Sequence, residues 1–451
     1  MGKKPQYIDR PNWRYNLLKK YVCFTLTKVF YRRFSVTFDE PLPKNTPVIF
    51  AANHQNALID ALIILCSTPR QPVFFARADM FKKNWVKKGL HFLRIAPLFR
   101  IRDGIKSLSQ NSQSFDIATG ILSRKNTIGI FPEGTHNDKE QLIPLKKGMA
   151  RMVFQAEQLH DFKLGVNVIP ISISYMDYIK PRTEVRVHMG KPLTFTHLKE
   201  LYESNPSLAL VKFNEEFETA LKQIVIHVES EESYTLIQNM RKSVIYDKLG
   251  ERARLRDSFA AAHDFIRRIN MLVKNKPEQA NHIFSTAELY YQKLEDHKIS
   301  EPVLFKGGIS FFTSTMILIL LIAGLPLYVA GRLLNYLPLL LIYRYVNKKI
   351  EDTQFRSSVY FAATALFVAP IMYILQSIIA GILLPAWWMG FAALPVMLLL
   401  GIGAYQYLRF WKWAMTRWKA NIFVRRHKKE AQELMQLRQN LIEHINLIPA
   451  D

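Results

Sequence analysis

The sequence has little cysteine: among 451 residues only Cys23 and Cys66 occur, and neither belongs to a Cys-x-x-Cys pair. Two cysteines without metal-ligand spacing indicate neither a zinc site nor a disulfide framework, so we expect no bound metal and a redox compartment that is reducing or irrelevant to the fold. The chain also lacks the low hydrophobicity of disordered proteins, because 49% of its residues are apolar. Its length allows about two to four structural units.

Acidic residues are scarce relative to basic ones: 37 Asp and Glu stand against 61 Lys and Arg, a formal net charge of +24. Such a charge predicts an anionic partner, which could be nucleic acid, a phosphorylated metabolite or a lipid surface. The sequence has no zinc-finger spacing, no RNP-type aromatic motif and no basic zipper, so we expect no nucleic-acid partner.

Two long stretches contain no charged residue at all, namely residues 357–408 and 307–331. A membrane-spanning helix needs about 20 apolar residues, so the first stretch is long enough for two helices with a break near Pro385, and the second for one. The shorter apolar run 333–343, flanked by Arg332 and Arg344, predicts a fourth span. Asp, Glu, Lys and Arg are absent from the long spans, which argues against a transporter or a proton relay.

The distribution of Lys and Arg predicts the orientation of these spans. The segments before residue 306, at 344–349 and after 409 are basic, whereas the turns expected near residues 332 and 385 carry almost no positive charge. The positive-inside rule then puts the basic segments and the body of the protein on the cytoplasmic side. We therefore expect residues 306–408 to form about four spans in two hairpins, followed by a basic cytoplasmic helical tail over 409–451.

Residues 1–34 combine apolar and basic side chains without the clean apolar core of a secretory signal. The pattern predicts an amphipathic helix in the plane of the membrane, or equally a soluble helix that caps the next domain.

Residues 35–208 alternate short apolar runs with helical patterns. The runs 47–52, 71–76, 128–131 and 166–174 predict strands, and the spacing at 57–66 predicts a helix. This alternation predicts an α/β fold with a mostly parallel sheet covered by helices. Residues 209–305 then become helical and highly charged, which predicts a helical connector to the membrane region.

His54 follows the first predicted strand and Asp60 lies on the helix after it. A carboxylate beside a histidine can fix its tautomer and make it a general base. Such a pair can equally be a simple capping or hydrogen-bonding pair, so on its own it decides nothing.

A second cluster follows the third strand, Phe131-Pro-Glu-Gly-Thr-His136, in which Gly134 permits close approach of a ligand and Glu133 supplies a carboxylate. An ordinary turn would have the same composition. Converging cations would bind a phosphate, although each alone could be a solvated surface charge. The candidates are Arg77, Arg100, Arg102, Lys146 and Lys147.

Taken in order, these motifs resemble the four blocks of the glycerolipid acyltransferase family, which includes 1-acyl-glycerol-3-phosphate and glycerol-3-phosphate acyltransferases. The blocks are Asn53-His54 with Asp60, then Arg102, then Phe131-Pro-Glu-Gly-Thr135, then Val168-Ile-Pro-Ile-Ser172. One feature departs from the family: five residues separate His54 from Asp60 instead of four. Since one extra residue turns a helix by about 100°, the two side chains can meet only if the residues after His54 are not yet helical.

The resemblance implies acyl transfer without a covalent enzyme intermediate and without a cofactor, the acyl group coming from acyl-CoA or acyl carrier protein. His54 would be the general base, oriented by Asp60. The implied substrate-binding residues are Arg102, Glu133, Gly134, Thr135, Arg77, Lys146 and Pro170, the last shaping the pocket.

Among acceptors we expect 1-acyl-glycerol 3-phosphate, which would give phosphatidic acid in phospholipid biosynthesis, because a membrane anchor suits a lipid acceptor. The longer His-to-Asp spacing resembles the fungal branch of the family and keeps glycerol 3-phosphate or dihydroxyacetone phosphate as alternatives. A non-catalytic lipid-binding scaffold is a third possibility.

Overall fold

A computed structural model describes residues 7–98, 107–250, 253–301 and 310–449. The chain divides into two compact units, the first formed by Met1–His227 with Asp352–Ser358, and the second by Val228–Glu351 with Val359–Asp451. The domain boundary predicted at residue 208 therefore falls inside the first unit. The reason is helix Pro206–Lys222, whose side chains Phe213, Phe217 and Leu221 are buried in the core of that unit.

The first unit is built on a seven-stranded sheet in the order β1-β7-β6-β2-β5-β3-β4. Neighbouring strands are parallel except for the antiparallel pair β6–β7, which confirms the predicted α/β fold class. The strands are β1 (Arg33–Phe38), β2 (Val48–Ala52), β3 (Val73–Arg77), β4 (Ile95–Leu98), β5 (Thr127–Ile130), β6 (Asn167–Tyr175) and β7 (Glu184–Met189).

Helices of the first unit cover this sheet. On α5 the residues Met149, Met152, Val153 and Phe154 are buried, because apolar residues three and four positions apart share one face of a helix. The described helices are α1 (Trp13–Phe24), α2 (Ala57–Ser67), α3 (Asn84–Phe92), α4 (Ser107–Ser123), α5 (Gly148–Gln158), α6 (Lys199–Ser204) and α7 (Pro206–Lys222).

Helix α1 has two faces of different character. Tyr15 and Val22 are buried in the first unit, whereas Trp13 and Leu17 are 70% and 62% exposed. The segment thus packs as a capping helix on one side and presents an apolar surface on the other.

Cys23 at the end of α1 is joined to Cys66 of α2 by a disulfide, so the expectation of no disulfide was wrong. The sequence hid this pair because 43 positions separate the two cysteines.

The second unit begins with three helices, which agrees with the predicted helical connector. The C-terminal helix packs against them, and its Arg438 lies 3.2 Å from Glu301 and 3.3 Å from Asp247. The helices are α8 (Tyr234–Leu249), α9 (Leu255–Asn275), α10 (Pro277–Asp296), α11 (Phe311–Lys349), α12 (Thr353–Phe361, which begins in the first unit), α13 (Ala369–Leu383), α14 (Met389–Arg426) and α15 (Lys428–Asn446).

Three helical segments of the described chain are long and apolar enough to cross a membrane: Phe311–Asn335, Phe355–Leu383 and Met389–Arg426. The predicted break near Pro385 is present between α13 and α14. The predicted turn near residue 332 is wrong, because α11 continues unbroken to Lys349 and the run 333–343 belongs to the same helix. Arginine is a good helix former, so Arg332 interrupts the apolar pattern without ending the helix.

Candidate active site

His54 and Asp60, six positions apart, meet at the carboxyl end of β2. The imidazole Nδ1 of His54 lies 2.8 Å from Oδ2 of Asp60. The same oxygen accepts the backbone N–H groups of Gln55 and Asn56 at 2.8 and 2.7 Å. The hydroxyl of Tyr175, on β6, donates to the other carboxylate oxygen. Asp60 is thus fully buried, with both of its oxygens hydrogen-bonded.

The irregular start of α2 accommodates the longer His-to-Asp interval. The helix begins only at Ala57, so Gln55 and Asn56 precede it, and the condition expected from the sequence is confirmed. Ala57 itself has a φ of 35°, in the left-handed region that an alanine adopts only at a cost. The turn from His54 to Ala57 curls around the carboxylate of Asp60 and brings it to the imidazole.

Glu133 holds the backbone of His54. One of its carboxylate oxygens accepts the N–H of His54 at 3.1 Å and the other accepts the N–H of Ile143 at 3.4 Å. Burial raises the pKa of Glu133 to about 8, with the nearby charge of Asp60 acting in the same direction. The carboxylate predicted to bind substrate is thus engaged by backbone groups and positions His54.

Other residues of the motif that starts at Phe131 complete the surroundings of His54. The Phe131 ring stacks on the imidazole with 3.9 Å between centroids and 11° between planes. The His136 ring meets the same imidazole edge-on at 5.6 Å. The N–H of Asn137 donates to the carbonyl of His54 at 2.9 Å. His54 is therefore held through its ring, its N–H and its carbonyl.

Gly134 and Thr135 form the exposed tip of this loop. Gly134 has a φ of 71°, and a Cβ at this position would come within 3.1 Å of Cγ of Lys146. The N–H of Lys146 donates to the carbonyl of Pro132 at 2.8 Å. The structure thus brings Gly134, Thr135 and Lys146 together on one loop surface that continues directly from Glu133.

The remaining predicted site residues are not part of this loop. Arg77, at the carboxyl end of β3, is exposed and pairs with Asp79 at 2.7 Å. Pro170 is buried inside β6, opposite Ala51 of β2 and against Gly190. Arg102, like Arg100, falls outside the described residues.

A small cleft opens beside His54 and Glu133. Asn53, Ser172 and Ser174 add polar groups to its wall, and Val225 adds an apolar one. Within the described ranges, no three His, Cys, Asp or Glu side chains are grouped so as to hold a metal ion.

Several contributors were not predicted from the sequence. Besides Tyr175 and His136, the amide of Asn53 forms two hydrogen bonds to the backbone of Ile173, at 2.8 and 3.0 Å, which tie the end of β2 to β6. Asn53 was visible as part of the first motif, but Tyr175 had no local signal because it lies 115 positions from Asp60.

Comparisons with known proteins all find acyltransferases. Residues 33–174 match the Acyltransferase family model. Glycerol-3-phosphate O-acyltransferase 2 of Saccharomyces cerevisiae is 25% identical over 294 residues, which make up 60% of this chain and 38% of that protein. 1-acyl-sn-glycerol-3-phosphate acyltransferase beta of Homo sapiens is 28% identical over 131 residues, 29% of this chain and 45% of that protein.

Among solved structures, the 1-acyl-sn-glycerophosphate acyltransferase of Thermotoga maritima matches 46% of this chain and 77% of its own, with 21% identity and a TM-score of 0.33. The chain spans less than half the length of the two sequence relatives named above. Residues 33–174 therefore form an acyltransferase domain, which is similar to the domains of glycerol-3-phosphate and 1-acyl-sn-glycerol-3-phosphate O-acyltransferases.

Proposed function

We propose that this protein transfers a fatty acyl group from a thioester donor to a hydroxyl of a glycerol 3-phosphate acceptor, with His54 as the general base and Asp60 as its partner. The observation that carries the proposal is the 2.8 Å contact between Nδ1 of His54 and Oδ2 of Asp60. Because a carboxylate only accepts hydrogen bonds, this contact puts the imidazole proton on Nδ1 and leaves the lone pair on Nε2.

The reaction then needs no covalent enzyme intermediate. Nε2 takes the proton of the acceptor hydroxyl while the hydroxyl oxygen attacks the thioester carbonyl. The carbon–sulfur bond breaks, and the leaving thiolate of acyl-CoA or acyl carrier protein takes the proton from Nε2. Asp60 stabilises the imidazolium that forms between these two steps.

The acceptor phosphate would lie on the loop surface of Gly134, Thr135 and Lys146, with Arg102 and Arg77 as further cations. The positive charge of Lys146 and the open backbone at Gly134 support this assignment. Glu133 would act through His54, whose backbone it holds, and Pro170 through the packing of the sheet.

Two acceptors, glycerol 3-phosphate and 1-acyl-glycerol 3-phosphate, are candidates for this reaction. The membrane-anchor argument from the sequence favours 1-acyl-glycerol 3-phosphate. The comparisons support glycerol 3-phosphate. The similarity to the yeast glycerol-3-phosphate acyltransferase covers 60% of this chain, whereas the similarity to the human 1-acyl enzyme covers 29% of it. We propose glycerol 3-phosphate as the first candidate and its 1-acyl derivative as the second.

The decisive experiment compares wild-type protein with His54→Ala in lipid nanodiscs, using labelled acyl-CoA and each acceptor separately. We expect His54→Ala to lose about 10²–10⁴-fold in kcat, the range of general base catalysis. His160→Ala, which removes an exposed histidine bonded to Ser123, is the matched control. Lysophosphatidic acid from glycerol 3-phosphate supports the first candidate and phosphatidic acid from the lysolipid the second.

Equal activity of His54→Ala and wild type would contradict the assigned base. Wild-type protein that acylates neither acceptor with acyl-CoA or acyl carrier protein would contradict the proposed function and favour a non-catalytic lipid-binding role.

We propose further that the acyltransferase domain lies on the cytoplasmic face of a membrane. The basic segments at 344–349 and after 409 lie on either side of the two candidate spans Phe355–Leu383 and Met389–Arg426, and Asp352–Ser358, which follows the first of these segments, belongs to the first unit. The positive-inside rule therefore supports this orientation. The exposed Trp13 and Leu17 of α1 offer an additional contact with the lipid surface.

Single cysteines test this orientation. Ala386→Cys, between α13 and α14, is expected to react in intact cells with a membrane-impermeant maleimide. Gln439→Cys, on α15, is expected to react only after the cells are opened. The reverse pattern would invert the orientation.

A further inference from the structure

The segment Asp352–Ser358, here called the strap, belongs to the first unit, which contains the acyltransferase domain and is called the acyltransferase unit below. The strap lies more than 120 positions after the rest of that unit in the sequence. It leads directly into the second candidate membrane span, which begins at Phe355. Ser357 is fully buried and Ser358 is 5% exposed. Buried hydroxyls need hydrogen-bond partners, so the positions of these partners show what the strap holds.

Both serines bond to the irregular start of α2. The hydroxyl of Ser357 donates to the side-chain oxygen of Asn56. The hydroxyl of Ser358 accepts the N–H of Ile59 at 3.3 Å, a donor that also reaches the carbonyl of Asn56 at 2.9 Å. The amide nitrogen of Asn56 donates to the carbonyl of Tyr178 at 2.7 Å. The Asn56 side chain is therefore held at both ends.

This start of α2 has a strained backbone. Five residues rather than four must fit between His54 and Asp60, and the extra length is taken up before Ala57, at its left-handed φ. A strained conformation persists only where the surroundings hold it. The two serines are bonded on either side of Ala57, to Asn56 and to Ile59.

The strap also contacts the loop on the other side of His54. The carboxylate of Asp352 lies 3.3 Å from Nε2 of His136, and the ring of Phe355 meets the His136 ring edge-on at 5.0 Å. His136 in turn meets the His54 ring. The strap thus touches both chain segments that surround the imidazole.

We propose that the strap is a positioning element of the active site: Ser357 and Ser358 hold the lengthened turn that keeps Asp60 on His54. The first residues of the second candidate span then serve catalysis as well as leading into the membrane segment. This inference rests on the proposed acyltransferase activity, and it explains how the chain maintains its longer His-to-Asp interval.

The test uses the full chain in nanodiscs with Ser357→Ala and Ser358→Ala, alone and combined. Loss of the two hydrogen bonds is expected to lower kcat of the double variant on the order of 10-fold. The KM for the acceptor is expected to stay within about twofold, because neither serine is among the proposed acceptor-binding groups. Ser377→Ala, which removes a serine of the same span bonded to Gly390, is the control with unchanged kcat.

A rescue experiment separates positioning from a general structural role. Glycine adopts a positive φ at little cost, so Ala57→Gly relieves the strain that the serines hold. Ala57→Gly added to the double variant is therefore expected to restore most of the lost kcat. A general loss of packing around Ser357 would not be repaired at Ala57.

Hydrogen exchange of the peptide 55–62 gives a readout that does not depend on activity. Faster exchange in Ser358→Ala is expected, since the Ile59 N–H loses a partner. Unchanged kcat and unchanged exchange would overturn the inference, whereas inactive wild-type protein with the expected exchange would overturn only the proposed reaction. Should the double variant not fold, Ser358→Ala alone serves both measurements, because it removes only one hydroxyl.

Discussion

At the scale of single residues, the site is organised around the carboxylate of Asp60. It receives hydrogen bonds from His54, Tyr175 and two backbone N–H groups. Burial, together with the charge of Asp60, raises the pKa of Tyr175 well above the ordinary value, so the hydroxyl remains a donor. Asp60 is therefore held in one orientation, which is what a partner of a general base requires.

Glu133 gives a prediction of pH dependence. Its pKa is about 8 in the folded protein against an ordinary 4.5, so protonated Glu133 favours the folded state. This contribution is fully present below pH 4.5 and is lost as the pH rises toward 8, because the unfolded chain releases the proton first. Relative to wild type, Glu133→Gln is expected to gain in melting temperature as the pH is raised from 5 to 8.

The measurement is thermal unfolding in detergent at several pH values, with the exposed Glu200→Gln as a control for loss of charge alone. Glutamine has one side-chain oxygen instead of two, so it cannot accept both backbone N–H groups that Glu133 accepts. We therefore also expect a lower melting temperature of Glu133→Gln by an amount that does not change with pH. A Glu133→Gln difference that does not change with pH would contradict the prediction.

At the scale of elements, α1 is fastened to the acyltransferase unit at several points. The disulfide of Cys23 and Cys66 joins it to α2. The ammonium of Lys19 donates to the carbonyls of Thr68 and Arg70 at 3.1 and 2.8 Å. Burial lowers the pKa of Lys19 to about 8. These contacts attach α1 to the end of α2 opposite to the one that carries Asp60.

The disulfide predicts a loss of stability on its removal. Closing a loop with a sequence separation of 43 constrains the unfolded chain by about 4 kcal/mol in the chain-entropy model. Cys23→Ser, Cys66→Ser and the double variant are expected to melt at the same lowered temperature, because each removes the same bond. Alkylation of unreduced wild-type protein that detects two free thiols would contradict the bond.

At the scale of the whole molecule, the second unit shows how its apolar helices associate. A Cβ on Gly331 of α11 would come within 2.2 Å of the carbonyl oxygen of Leu400 of α14. Small residues allow membrane helices to approach closely, and buried polar side chains join them. Asn335 is such a side chain: it accepts from the hydroxyl of Tyr373 at 2.6 Å and donates to the carbonyl of Met397 at 3.4 Å.

Asn335→Leu is expected to lower the stability of the membrane helices by about 1 kcal/mol, the usual size of interhelical hydrogen bonds in bilayers. We expect kcat to be unchanged, because Asn335 has no role in the proposed reaction. Tyr373→Phe removes one of the same bonds, so the double variant should lose less than the sum of the single losses. Strict additivity of the two melting-temperature changes would argue against the shared hydrogen bond.

The sequence by itself determined the fold class, the helical connector and the residues of the first and third motifs. Apolar patterning follows from burial: β2, β3 and β5 contain short apolar runs, and β6 combines an apolar run with alternating Ile and Ser. Strands β1, β4 and β7 were not predicted: β4 is short, and β1 and β7 interleave basic and polar residues with apolar ones, so their pattern is weaker.

Only the tertiary structure decided which distant residues meet. The disulfide, the contact of Tyr175 with Asp60 and the contact of the strap with α2 join positions 43, 115 and about 300 apart, and such pairings leave no local periodicity. The unbroken α11 also needed the structure, because Arg332 inside an apolar run fits both a turn and a continuing helix. Local sequence thus identified His54 and Asp60, whereas long-range packing determined how they are held together.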